Sequence, residues 1–111
     1  MAATSKNDGL QGALSLLILK TVAHRALHGY AIASQIQRIS DDLLRVEEGS
    51  LYPALHRLEQ EGLIQSEWGL TETNRKARFY QITSAGQKRL DQELDSYRRI
   101  QRGISLVLGE A

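Results

Sequence analysis

GSLYPALHRLEQEGLI, residues 49–64, is the stretch on which the reading of this chain turns. Ser50 reads as an N-cap, Pro53 then falls in the first turn where an N–H has no helical partner, and Gly62 can stop the helix. At 100° per residue, Leu51, Leu55 and Leu58 form one apolar stripe with Ala54 at its margin. Tyr52, Pro53, His56, Arg57 and Gln60 fall on the opposite side. Such a helix packs by one face and offers a small, mixed polar surface on the other. Glu59 and Glu61 lie towards its C-terminal end, which leaves Ser50 to Arg57 without negative charge.

Working outward, Leu10, Leu14, Leu17, Ile18 and Val22 recur at helical spacing and predict a helix from Leu10 to Ala26, apolar on more than one side through Leu16 and Leu19. Gly29 marks a break. Ile32, Ile36, Ile39 and Leu43 then give a second amphipathic helix ending near Ser40 to Asp42. On the other flank, Leu63–Trp68 and Ala77–Ile82 are rich in aromatic and β-branched residues and read as an antiparallel hairpin around the polar stretch Gly69–Lys76. Thr83 caps a last helix whose Leu90, Leu94, Tyr97, Gln101, Ile104 and Leu108 follow a 4-3-4-3-4 rhythm, a coiled-coil seam with one polar position. About 25 helical residues extend roughly 38 Å, longer than so small a domain covers by itself. The seam therefore either docks on a second copy, which its length favours, or folds back on the first helix. The expected architecture is mainly α with a small β-hairpin: a winged helix-turn-helix over residues 10–83, a dimerisation helix over 84–111, and a polar N-terminal arm, 1–9, without fixed structure. Leu10, Leu14 and Leu17 join Leu90, Leu94, Tyr97, Ile104 and Leu108 in the expected dimer interface. Tyr30 and Trp68 read as core or interface residues.

Composition narrows the function. The 111 residues are 41% hydrophobic with one proline, which fits one folded, helix-rich domain. There is no cysteine, so disulfides, thiolate metal sites and cysteine nucleophiles are excluded and the cytoplasm is the expected compartment. No apolar run approaches the roughly 20 residues that span a bilayer. An enzyme fails for want of parts: the chain has no glycine-rich phosphate loop and no cue pairing a serine with His and Asp. His24 and His28 are four apart but have no third ligand nearby, so neither a metal nor another cofactor is expected.

The net charge of +1 conceals a segregation. From Thr73 to Leu90 there are five basic residues, Arg75, Lys76, Arg78, Lys88 and Arg89, and no acid, whereas Asp41, Asp42, Glu47 and Glu48 crowd around Arg45. In a winged helix the third helix enters the major groove, where base edges carry a distinct donor and acceptor pattern. The side chains placed to meet double-stranded DNA are then Ser50, Tyr52, Pro53, His56 and Arg57, with Asn74, Arg75, Lys76 and Arg78 reaching phosphates or a minor groove from the wing. Two plainer readings stand beside these. A basic loop can be nothing more than solvated surface, and Tyr52 can pack against the hairpin. A winged helix can also serve protein interaction alone, but such a module has no need of an acid-free basic run.

The stretch from Gly49 to Ile64, followed by EWG (Glu67–Gly69), TNRKARFYQIT (Thr73–Thr83) and AG (Ala85, Gly86), resembles the PadR family of bacterial transcriptional regulators. LHGYAI (Leu27–Ile32) and LQGALSLLILKTV (Leu10–Val22) are similar to its first two helices, so the resemblance covers about residues 7–95. It implies a homodimeric winged helix that usually represses its targets and, in some members, is released by a small-molecule effector. The short C-terminal part resembles the subfamily with a single terminal helix. In certain short members aromatic residues of that helix line a drug-binding pore. Here the only Trp, Trp68, is on a strand and the last helix has only Tyr97, so drug binding is not carried over.

Overall fold

In a computed structural model, residues 8–110 are described, with four helices and three strands among them. α1 (Asp8–Thr21) begins before Leu10, so Asp8 and Gly9 belong to the helix; the rest of the expected arm, 1–7, lies outside the described residues. α1 also ends five residues short of Ala26. The Thr21 hydroxyl donates to the Leu17 carbonyl at 2.6 Å, and the Val22 carbonyl is taken by the N–H of Ile82 at 3.3 Å, so the chain leaves the helix to meet the sheet.

β1 (Leu27–His28) was not legible in the sequence, because two residues carry no periodicity. It pairs antiparallel with β3 (Lys76–Ile82), which in turn pairs with β2 (Ile64–Leu70), giving the order β1-β3-β2. His28 then caps α2 (Gly29–Ile39), its Nδ1 accepting the Ala31 N–H at 3.4 Å. Gly29 therefore opens the second helix. The end of α2 falls as the sequence placed it, and Asp41 and Asp42 follow in the left-handed region, where the Asp42 N–H reaches back to the Gln37 carbonyl.

α3 spans Glu48–Gln60, with Glu47 at the cap position. Ser50 is thus in the first turn rather than at the cap, and Pro53 is six residues in, where its missing N–H forfeits a bond to the Gly49 carbonyl. Gly62, at φ +74°, closes the helix, with the Leu63 N–H bonded to the Leu58 carbonyl at 3.0 Å. The stripe Leu51, Ala54, Leu55 and Leu58 is buried against Ile18, Leu19 and Val22 of the α1 end and Ile32 and Ile36 of α2. Each Leu or Ile so buried contributes about 1.5–3 kcal/mol.

The hairpin ladder runs unbroken from Ile64↔Ile82 to Leu70↔Lys76. Its strands are longer, and its loop shorter, than expected: Gly69, Leu70 and Lys76 all pair. Gly69 permits this, since a Cβ there would come within 2.9 Å of the Phe79 ring that lies over it. The loop 71–75 closes through Asn74 N–H to Thr71 O and Thr71 N–H to Arg75 O, both 2.9 Å, with Asn74 at φ 62° in the left-handed position such loops require.

α4 (Ser84–Leu108) starts where Thr83 accepts the Gly86 N–H and donates to the Gly62 carbonyl, at 3.0 and 2.6 Å. Leu90, 2% exposed, and half-buried Leu94 pack into the chain's own core, as do Leu10 and Leu14 of α1. The proposed seam therefore loses Leu90, Leu10 and Leu14, whose surface is already covered, and most of Leu94. Heptad spacing serves an intrachain contact as well as an interchain one. Beyond Leu94 no α4 residue is buried, and Tyr97, Ile100, Ile104, Val107 and Leu108 stand exposed. The apolar line thus takes Ile100 in place of polar Gln101.

Candidate nucleic-acid interface

Because α3 is held by its leucine stripe, everything on its far side is left to solvent: Tyr52, Pro53, His56 and Arg57 are exposed and Ser50 is half-buried. Tyr52 is positioned by α2. Its hydroxyl and ring edge lie 2.7–2.9 Å from where a Cβ on Gly29 would stand, so the absence of a side chain at Gly29 lets the ring lie over the start of α2. Tyr52 therefore rests on α2, with its outer side open. The hairpin projects beside this face. Asn74, Arg75 and Lys76 are exposed at its tip, with Glu72 beside them as the one acid of the loop. Asn74 has a backbone reason to be there, since Asn tolerates the left-handed region.

The basic run of the sequence does not stay together. Lys88 and Arg89 are on α4, where Arg89 pairs with Glu61 and Glu93 at 3.6 and 3.8 Å. Arg78 is on β3, within the expected strand, and its side chain is engaged there: Nε and Nη2 donate to Ser66 Oγ, Nη2 stands 3.6 Å from Glu59 Oε2, and Cζ lies 5.5 Å from the centre of the Trp68 ring. Tyr30 and Trp68, expected in the core or an interface, are 75% and 66% exposed in the single chain. Both line an open groove between α2 and the hairpin, to which Arg25 and Arg38 also contribute. Sequence reasoning missed these two arginines as site candidates because they lie on separate segments far from the basic run. At the floor of the groove burial pushes the Tyr80 phenol above its ordinary value, with Glu59 and Tyr52 acting in the same direction and Arg78 opposing.

The groove runs between α2, which carries no acid, and a hairpin tip bearing Arg75 and Lys76 beside Glu72, with Tyr52 the one α3 residue that lines it. Among the described residues no cluster of His, Asp and Glu is arranged to hold a metal, and no helix is long and apolar enough to cross a membrane. The family model of the PadR-like transcriptional regulators matches residues 18–92. A transcriptional regulator of Mycobacterium tuberculosis is 33% identical over 94 residues, covering 85% of this chain and 84% of its own length. A solved transcriptional regulator from Clostridium thermocellum matches with a TM-score of 0.80 at 31% identity, over 88% of this chain and 95% of that one. A PadR-like regulator from Bacillus cereus gives 0.77 at 26% identity, over 94% and 97%. Helix order, hairpin, recognition-helix motif and family model coincide, and the chain belongs to the PadR-like family of transcriptional regulators, built on a winged helix.

Proposed function

We propose that this regulator binds a pseudo-palindromic operator as a homodimer and represses the genes behind it. The carrying observation is the exposed face Tyr52–Pro53–His56–Arg57, free of acids and backed by a buried stripe, beside a hairpin tip bearing Arg75 and Lys76. α3 lies in the major groove with His56 and Arg57 at base-edge depth, while Ser50 and Tyr52, nearer its start, meet phosphates. Pro53 packs against the groove wall. Asn74, Arg75 and Lys76 engage the neighbouring backbone or minor groove. Two-fold proteins match two-fold operators, and the exposed line Tyr97, Ile100, Ile104, Val107 and Leu108 supplies the two-fold contact, joined by what half-buried Leu17 of α1 leaves open.

Selection of bound sequences from random duplex DNA is the test. Recovery of an inverted repeat with half-sites about one helical turn apart supports the reading. Recovery of no shared sequence, with retention on heparin indifferent to salt, refutes it and leaves a protein-interaction module. Repression is checked by placing the recovered operator before a reporter gene and adding the protein.

A further inference from the structure

Arg78 looks like a phosphate ligand in the sequence, but its guanidinium is engaged on several sides. Ser66 Oγ donates to Glu59 Oε2 at 2.6 Å and accepts from Arg78 Nε and Nη2 at 3.1 and 2.9 Å. A hydroxyl has one proton and two lone pairs, so Ser66 is saturated by these three bonds. Nη2 adds the 3.6 Å ion pair with Glu59, and Cζ stands over the Trp68 ring, 5.5 Å from its centre. The ladder explains the meeting. Trp68 is directly opposite Arg78 and Ser66 is its diagonal neighbour, on the same face of the hairpin. Glu59 comes from α3, seven residues before Ser66. These bonds thus tie the recognition helix to the hairpin. From Gln65 to Leu70 β2 has no buried residue, so the core does not hold that stretch.

We propose that Glu59, Ser66 and Arg78 form a brace that fixes the angle between α3 and the hairpin, with Arg78 a positioning residue for DNA binding and not a phosphate contact. The inference rests on the DNA-binding reading above. A duplex presents its major and minor grooves at a set separation, with one sugar-phosphate strand between them. Helix and hairpin engage both at once only at a matching angle, and an angle set before binding spares the ordering cost at the moment of association.

The brace makes an unusual forecast for Glu59. Removing an acid from a DNA-facing surface ordinarily tightens binding, whereas removing a member of the brace weakens it. Glu59→Gln, Ser66→Ala, Arg78→Ala and, for contrast, Arg75→Ala are to be measured in the full chain on the selected operator over a salt series, with urea unfolding to establish that each is folded. The three brace variants weaken binding roughly tenfold, as expected for loss of a coupled network, with the slope of log K against log salt unchanged. Hydroxyl-radical protection beneath the hairpin and the shielding of guanine N7 from dimethyl sulfate in the major groove are both kept at saturation, because the bound contacts are the same and only the cost of ordering them has risen. Glu59→Gln combined with Arg78→Ala is no worse than Arg78→Ala alone. Emission of Trp68, the single tryptophan, shifts in all three. Arg75→Ala instead lowers the slope by about 0.9, one phosphate contact. The brace is overturned if Arg78→Ala lowers the slope as Arg75→Ala does, or if Glu59→Gln and Ser66→Ala bind as tightly as wild type or tighter. Should Arg78→Ala not fold, those last two variants decide alone. A wild-type protein with no salt-dependent affinity for any duplex would overturn the DNA-binding reading itself, a result distinct from any of these.

Discussion

Arg57 and Tyr80 show how differently two residues of one site are governed by their surroundings. Arg57 is exposed on α3, about two and a half turns past the start of the helix and in its last turn, so its contribution depends on what it meets in a groove. Arg57→Ala is expected to cost about 1–3 kcal/mol on the preferred operator and relax preference at one base position per half-site, leaving non-specific affinity nearly intact; repeating the sequence selection with the variant checks it. Tyr80 is buried, and the folded protein favours its neutral form. Its contribution to stability is complete below about pH 10, the unfolded value, and falls away as pH rises through the higher folded value, because the unfolded chain ionises first. Urea midpoints from pH 8 to 11 are expected to drop at the alkaline end, and less so in Tyr80→Phe. Gly86 is governed by shape alone. A Cβ there would strike the Leu63 carbonyl oxygen, which is backbone and has little room to yield, so Gly86→Ala is expected to lose about 1–3 kcal/mol or more by thermal unfolding. The outward face of α3 was legible because a leucine stripe at helical spacing fixes what lies opposite it. The environment of Arg78 was not, since it depends on a cross-strand register and on the approach of Glu59, neither of which leaves a trace in spacing.

α4 is two helices in function, though one in geometry. Its first turns, through Leu90 and Leu94, are part of the core, and its remainder projects with an apolar line unmet by its own chain. Substitutions at the two ends are therefore expected to fail in different ways. Ile104→Glu should leave a folded protein that sediments as a monomer, with circular dichroism unchanged. Leu90→Ala should instead lower the unfolding free energy by about 2–5 kcal/mol, with assembly following stability. The periodicity 90-94-97-101-104-108 predicted the helix and its amphipathic character, but a period cannot say which chain an apolar residue packs against. The hairpin has a similar history. Its strands were legible as β-rich runs, but their true length depended on Gly69 accepting the Phe79 ring, a contact made only after folding.

At the scale of the molecule, the proposed two-fold operator reading requires dimerisation. Light scattering at micromolar concentration is expected to give twice the chain mass of 12.4 kDa, and the melting temperature should rise with protein concentration if folding and assembly are coupled. A single 12.4 kDa species with a concentration-independent melt would refute the two-fold arrangement. The order of helices and hairpin was readable from the chain alone. The three-stranded sheet was not, because β1 exists only where β3 offers it a partner. One junction ties these parts together. The end of α3 at Gly62, the root of β2 at Leu63 and the start of α4 at Thr83 and Gly86 meet through the Thr83 hydroxyl, the Leu63 carbonyl and the bare Cα of Gly86. This makes α4 a lever of roughly 38 Å with its pivot against the recognition helix. Five degrees of tilt at the pivot sweep its far end through about 3 Å. In the proposed dimer, whatever changes how two such levers cross would retune the distance between the two α3 helices, and so which operator spacing the pair accepts.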